Sequence, residues 1–176
     1  MSDEKRNEGQ LMYDVIRLES LVDEITFKLA AETNDHPTAS AILGPFWRYD
    51  APVLENESTI VHGVDDGEIT YIHGTVRDLK TREPVAGAWV DVWKLLKLLD
   101  KYPYRPAHIH IIVTREGYKP VTTQIFDSED KYLDNDSVFA VKDSLVVEFK
   151  PLKDNPKVTR ELDYPILIAP FDDKTT

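Results

Sequence analysis

The sequence contains no cysteine. This absence excludes disulfide bonds, thiolate metal ligands and cysteine nucleophiles anywhere in the 176 residues. Any transition metal bound by the chain must therefore be held by histidine, carboxylate, phenolate or water. The candidate metal chemistry is restricted before any motif is considered.

Basic residues are in deficit, and long apolar runs are missing. The chain has 21 lysines and arginines against 32 aspartates and glutamates, which gives a formal net charge of -11 at pH 7. A field of this sign repels nucleic-acid phosphates and anionic lipids, so neither is expected as a partner. No apolar run approaches the ~18 residues of a membrane span, and the charged start MSDEKRNEGQ does not resemble a signal peptide. We therefore expect a cytoplasmic protein with no membrane partner.

The first part of the chain has the apolar periodicity of an amphipathic helix. Between positions 10 and 32, apolar residues recur at steps of four and three, at Leu11, Val15, Leu18, Val22, Ile25 and Leu29. Asn34, Asp35 and Pro37 then end the pattern. We predict a helical segment over residues 1–36, whose apolar stripe packs either on its own domain or on a partner subunit.

The remainder, residues 37–176, has short apolar or alternating runs separated by turn-forming residues. This pattern is typical of an all-β sandwich or barrel. We predict a mainly β fold, an antiparallel β-sandwich preceded by the helix. The predicted strands are Ile69 to Val76, Ala88 to Trp93, Ala107 to Val113, Val121 to Phe126 and Leu145 to Phe149, and residues 78–83 are predicted to connect the first two.

One predicted strand contains a His-x-His pattern. Because successive strand side chains point to opposite faces, His108 and His110 share one face and can converge on a metal ion. Arg105, three residues before His108, could stabilise negative charge on a ligand in the same cavity. A hydrogen-bonded histidine pair without metal is the alternative, since two ligands do not complete a zinc or iron site. Candidates for further ligands are Tyr102, Tyr104, Tyr132, Asp127 and Asp130, whereas His36, His62 and His73 are interpreted as ordinary loop or strand histidines.

One junction does not fit a regular connection. Trp93 at the end of a predicted strand is followed at once by the helix-like run KLLKLLD at 94–100, with no turn residue between them. A regular connection would carry turn chemistry there. We interpret the domain as interrupted between positions 93 and 94.

Several segments together resemble the intradiol ring-cleavage dioxygenases, and within them the catechol and hydroxyquinol 1,2-dioxygenases. The segments follow the family's order and cover most of the chain: ILGPFW at 42–47, GTVRD at 74–78, PVAGA at 84–88, VDVW at 90–93, YPYRPAHIH at 102–110, TTQIFD at 122–127 and DSVFAVKDSLVVEF at 136–149. The resemblance implies non-haem Fe(III) as cofactor, with a small aromatic diol and dioxygen as substrates. It implies conversion of catechol or hydroxyquinol to a cis,cis-muconate in the catabolism of aromatic compounds.

The resemblance also assigns roles to individual residues. It implies that His108 and His110 bind the iron, that Arg105 is the active-site arginine, and that Gln124 is the polar residue beside it. It further implies a β-sandwich with a homodimer interface in the N-terminal helical region, with lipid bound between the subunits.

The chain departs from the family at the interrupted junction. Both tyrosine iron ligands of the family fall in the interval that is absent after Trp93, and neither Tyr102 nor Tyr104 aligns with them. We therefore predict an internal deletion that removes both tyrosine ligands. Two alternatives stay open: a catalytically inactive β-sandwich homologue that binds a ligand or partner, and a hydrolytic zinc site on His108, His110 and a carboxylate.

Overall fold

A computed structural model describes residues 36–43, 47–60, 68–94, 105–136, 140–153, 155 and 157–171. The predicted helix, His62, Tyr102 and Tyr104 lie outside these ranges, as do residues 95–104, which come soon after the predicted interruption. The domain division and the dimer interface on the helix therefore stay predictions. Within the described ranges, no helix is long and apolar enough to cross a membrane.

The regular secondary structure of the described residues consists almost entirely of strands, so the mainly β prediction is confirmed. The strands are β1 Thr70–His73, β2 Val76–Asp78, β3 Trp89–Lys94, β4 His108–Thr114, β5 Val121–Asp127, β6 Val146–Val147, β7 Lys150–Pro151, β8 Arg160–Asp163 and β9 Ile166–Ile168. Two single-turn 3₁₀ helices span Leu133–Asn135 and Asp143–Leu145.

Three sheets are formed by these strands. The largest has the order β3-β4-β5-β6, and the others are β1-β8-β7 and β2-β9. The pairs β3-β4, β4-β5 and β7-β8 are antiparallel. The pairs β1-β8, β2-β9 and β5-β6 are parallel, so two of these sheets are mixed and the β2-β9 sheet is parallel.

One face of the largest sheet forms the main hydrophobic core. Alternate residues of β4 and β5 point to this face and pack against β8 and β9, because each strand presents every second side chain to one side. The buried members are Ile111, Val113, Val121, Ile125, Leu162, Ile166 and Ile168.

Residues 36–43, which we call the N-terminal strap, run beside β5 at the edge of the largest sheet and cover part of its opposite face. Three hydrogen bonds tie the strap to β5: Thr123 Oγ1 donates to the Ala39 carbonyl at 2.7 Å, the Ala41 amide to the Thr122 carbonyl at 2.8 Å, and Gln124 Nε2 to the Ile42 carbonyl at 2.7 Å. The strap contributes Ala39, Ala41 and Ile42 to a second apolar cluster, which is completed by Phe126, Ala140 and Leu145. This covered face carries the polar side chains described next.

Candidate active site

The two histidines of β4 lie on the covered face of the sheet. His108 is 6% and His110 is 3% exposed, and their ring centroids are 4.8 Å apart at an interplanar angle of 66°. The β4-β5 register places His110 opposite Gln124 and His108 opposite Phe126. The strand alternation thus brings together the His-x-His pair and the glutamine that the sequence singled out.

His108 has one defined tautomer. Its Nδ1 lies 2.7 Å from the Pro106 carbonyl oxygen, and because a carbonyl can only accept, Nδ1 must carry the proton. Its Nε2 lies 3.2 Å from Nη1 of Arg105, and because a guanidinium can only donate, Nε2 accepts. His108 is therefore a neutral imidazole whose Nε2 lone pair faces the site.

Burial also keeps the two imidazoles uncharged. Burial, and secondarily the charges of His108 and Arg105, lower the pKa of His110 to about 3. Burial and then the Arg105 guanidinium lower the pKa of His108 below its ordinary value. Both rings are consequently neutral at physiological pH, which is the form that binds metals.

His110 is packed against β3 by a ring stack. The indole of Trp93 lies parallel to the imidazole, with centroids 4.8 Å apart and planes 8° from parallel. Nδ1 of His110 and Nε1 of Trp93 are both buried and have no hydrogen-bond partner within the described residues. The two rings are thus held together by packing. Nδ1 of His110 makes no hydrogen bond within the described residues.

Arg105 is the centre of the polar network. Its Nε donates to Asp136 Oδ1 at 2.7 Å, and its Nη2 donates to Asp136 Oδ2 at 3.3 Å and to Gln124 Oε1 at 3.1 Å. Together with the contact to His108, all three guanidinium nitrogens are engaged. Arg105 and Gln124 meet as the resemblance implied, whereas Asp136 was not singled out from the sequence.

The donor atoms of the cluster fit part of the coordination shell of a ferric ion. The neutral imidazoles of His108 and His110 fit two ligand positions, and the Pro106 carbonyl orients the His108 ring as backbone acceptors commonly do for metal-binding histidines. In the part of the chain that the structure describes, no group of three His, Asp or Glu side chains could hold a metal ion. Among the His, Asp and Glu side chains that the structure describes, only the two histidines are therefore candidate ligands, and further ligands would be tyrosines such as Tyr132, residues of the undescribed segments or the substrate.

The carboxylates that were predicted as candidate ligands accept hydrogen bonds from backbone amides. Asp130 accepts from the Ala107 amide through Oδ2 and from the Tyr132 amide through Oδ1, both at 2.8 Å. Asp127 Oδ1 accepts from the Glu129 amide at 3.0 Å. These candidates were wrong because short acidic side chains in turns are held by nearby N–H groups, and a zinc site on a carboxylate beside the two histidines has no support among the described residues. Tyr132, the remaining described candidate, precedes the first 3₁₀ helix, and a ligand role for it stays a prediction.

Proteins of known family are similar to this chain in sequence. A family model described as "Dioxygenase" matches residues 94–170. The intradiol ring-cleavage dioxygenase prcA of Aspergillus niger is 37% identical over 216 residues, covering 93% of this chain and 69% of that protein. The catechol 1,2-dioxygenase of Candida albicans is 34% identical, covering 96% of this chain and 74% of that protein.

Solved structures share the fold. The hydroxyquinol 1,2-dioxygenase of Pseudomonas putida has a TM-score of 0.76 at 23% identity, covering 97% of this chain and 78% of the other. The catechol 1,2-dioxygenase of Pseudomonas arvilla has a TM-score of 0.77 at 22% identity, covering 97% and 74%.

The length of the first alignment bears on the predicted deletion. It extends over 216 residues, which exceeds the 176 residues of this chain. The relative therefore has residues inside the matched stretch that this chain lacks. The position of that interval, after Trp93, stays a prediction.

Proposed function

This chain belongs to the intradiol ring-cleavage dioxygenase family, and on that basis we propose that it cleaves a catechol-type aromatic diol with dioxygen. The family uses non-haem ferric iron, and the residues that would hold it here are His108 and His110. The observation that supports the proposal is the single buried cluster in which Arg105 contacts His108 and Gln124 on the face that carries both neutral imidazoles. The proposed reaction converts catechol or hydroxyquinol to a cis,cis-muconate in the catabolism of aromatic compounds.

Arg105 would bind the ionised diol. With both imidazoles neutral, Arg105 is the cationic side chain of the cluster, and its guanidinium is paired with the Asp136 carboxylate. Its N–H groups would stabilise an oxyanion of the diol through charge-assisted hydrogen bonds. Gln124 Oε1 holds Nη2, while the strap holds the Gln124 amide through the Ile42 carbonyl. These hydrogen bonds fix the position from which the Arg105 guanidinium would contact the diol.

Metal binding and the Arg105-His108 hydrogen bond exclude one another. The Nε2 lone pair of His108 can serve either Nη1 of Arg105 or a metal ion, since an imidazole nitrogen has a single lone pair. Holding the metal therefore releases an N–H of Arg105, which can then donate to an oxygen of the diol. When bound, ferric iron supplies Lewis acidity that favours ionisation of the diol hydroxyls and makes the ring reactive toward dioxygen.

A second candidate is a catalytically inactive homologue that binds the diol or another ligand. It is favoured by the ligand count, because no third His, Asp or Glu ligand accompanies His108 and His110 in the described part of the chain, while non-haem iron sites use at least three protein ligands. This candidate retains Arg105 and Gln124 as an anion-binding pair without redox chemistry.

Iron content and the visible spectrum of the purified protein distinguish the two candidates. If the chain is the proposed enzyme, we expect stoichiometric iron and a visible charge-transfer absorption band. This band should shift on anaerobic addition of catechol or hydroxyquinol. His108→Ala should abolish both, while the matched control His73→Ala, which alters a part-exposed histidine of β1, should keep them. Iron-free, colourless wild-type protein that still binds the diol would support the inactive homologue instead.

A further inference from the structure

We infer that Asp136 is a positioning residue, whose buried carboxylate sets the direction in which Arg105 presents its N–H groups to an anionic diol. This inference rests on the proposed diol site. Asp136 lies at the C-terminal end of the first 3₁₀ helix, 31 residues from Arg105 in sequence. It begins the segment at 136–149 that resembles the family, but the sequence assigned it no role.

The geometry of the pair is specific. The Asp136 side chain is 3% exposed and that of Arg105 is 19% exposed. The carboxylate binds the Nε edge of the guanidinium, through Nε to Oδ1 and Nη2 to Oδ2. Because the guanidinium is planar, fixing this edge fixes the direction of every other N–H.

The remaining N–H groups then point into the site. Nη1 is directed to His108, and Nη2 is also directed to Gln124. Without the grip on the Nε edge, the long arginine side chain would have several rotamers available in the space around the site. The direction of the positive charge is therefore determined by Asp136 as well as by Gln124.

The carboxylate is itself anchored to the backbone. The Ala140 amide donates to Asp136 Oδ2 at 2.8 Å, so Oδ2 accepts from both the backbone and Arg105. An asparagine at this position cannot accept hydrogen bonds through both of its terminal atoms. Its NH₂ group would face an N–H donor, either Nε of Arg105 or the Nη2 and Ala140 donors. Asp136→Asn therefore keeps the side-chain volume and weakens the paired hydrogen bonds to Arg105.

The test is a double-mutant cycle read by binding of 4-nitrocatechol, a chromophoric diol, to the protein as purified. Asp136→Asn should weaken binding, and where the protein is active lower kcat/KM, by about 10- to 100-fold, the range typical of residues that orient a ligand-contacting side chain. In an Arg105→Gln background the same substitution should have little further effect, because a residue that acts through Arg105 has no role once Arg105 is gone. Asp136→Glu should recover part of the affinity.

Two controls separate positioning from general stability. Asp134→Asn alters an exposed acidic residue of the same 3₁₀ helix and should bind nitrocatechol as the wild type does. Thermal unfolding of every variant shows whether it is folded at the temperature of the binding experiment. If Arg105→Gln is unfolded, Arg105→Lys takes its place, since it keeps a cation beside Asp136 and loses only the planar fork.

The outcomes are distinct for this inference and for the proposed function. A full additional loss from Asp136→Asn in the Arg105 variant, unchanged binding by Asp136→Asn, or no nitrocatechol binding by the wild type would each overturn the positioning role. An iron-free, inactive wild type that shows the coupled loss would overturn the proposed reaction and leave the positioning role standing.

Discussion

Acidification should destabilise the metal-free protein through His110. Burial, followed by the nearby His108 and Arg105, lowers the pKa of His110 to about 3 in the folded state, against about 6.5 for an unfolded histidine. Below about 6.5 the unfolded chain therefore takes up a proton that the folded chain does not. The stability contributed by the neutral ring is present above that pH and is lost as the pH falls from about 6.5 toward 3.

The magnitude at pH 5 follows from the unfolded state. At that pH an unfolded imidazole is almost fully protonated and the folded His110 is not, so the loss is about 1.5 pKa units, or about 2 kcal/mol. The result does not depend on the precise folded pKa, provided that it lies well below 5. The lowered pKa of His108 adds a loss in the same direction.

The assay is urea unfolding of chelator-treated protein at pH 7.5 and pH 5.0, for the wild type and His110→Phe. The phenyl ring keeps a planar group against Trp93 but binds no proton. We expect the wild type to lose about 2 kcal/mol more than the variant between the two pH values. Equal losses in the two proteins would refute the neutral, buried state of His110.

Three further substitutions test the fold that supports the site. Gly74→Ala should lower the free energy of unfolding by about 1–3 kcal/mol, because a Cβ there would overlap the Tyr164 carbonyl oxygen; wild-type stability in chemical denaturation would contradict this packing. Leu145→Ala should cost about 2–5 kcal/mol in the same assay, since the side chain is 0% exposed beneath the strap, and a cost below 1 kcal/mol would disagree with that burial. Asp130→Ala should cost about 1 kcal/mol and weaken nitrocatechol binding, because the carboxylate holds the Ala107 amide at the start of β4; unaltered binding would show that this anchor is dispensable.

The strands predicted from the sequence were those with a local signal. β4 and β5 are rich in β-branched residues and contain no Gly or Pro, and they begin and end within one residue of the prediction. β8 has the sequence RELD, which contains one apolar residue in four. It is a strand because it pairs with β1 in register, and such tertiary pairing leaves no local pattern.

The site was predicted to the extent that its residues lie close in sequence or within a recognisable motif. The spacing of His108 and His110 fixed their common face through strand alternation. Asp136 and Trp93 were missed, since the first reaches Arg105 across 31 residues and the second meets His110 only through the β3-β4 register. An acidic residue in a segment resembling the family was the only available signal for Asp136.

We propose that this chain performs intradiol cleavage at the cluster of Arg105, His108 and His110. The most direct test is mass spectrometry of the product formed from catechol or hydroxyquinol under ¹⁸O₂ by the iron-loaded protein. We expect a muconate that has gained two labelled oxygen atoms, and loss of this product in His108→Ala but not in His73→Ala. No labelled product from wild-type protein that carries its full complement of iron would contradict it.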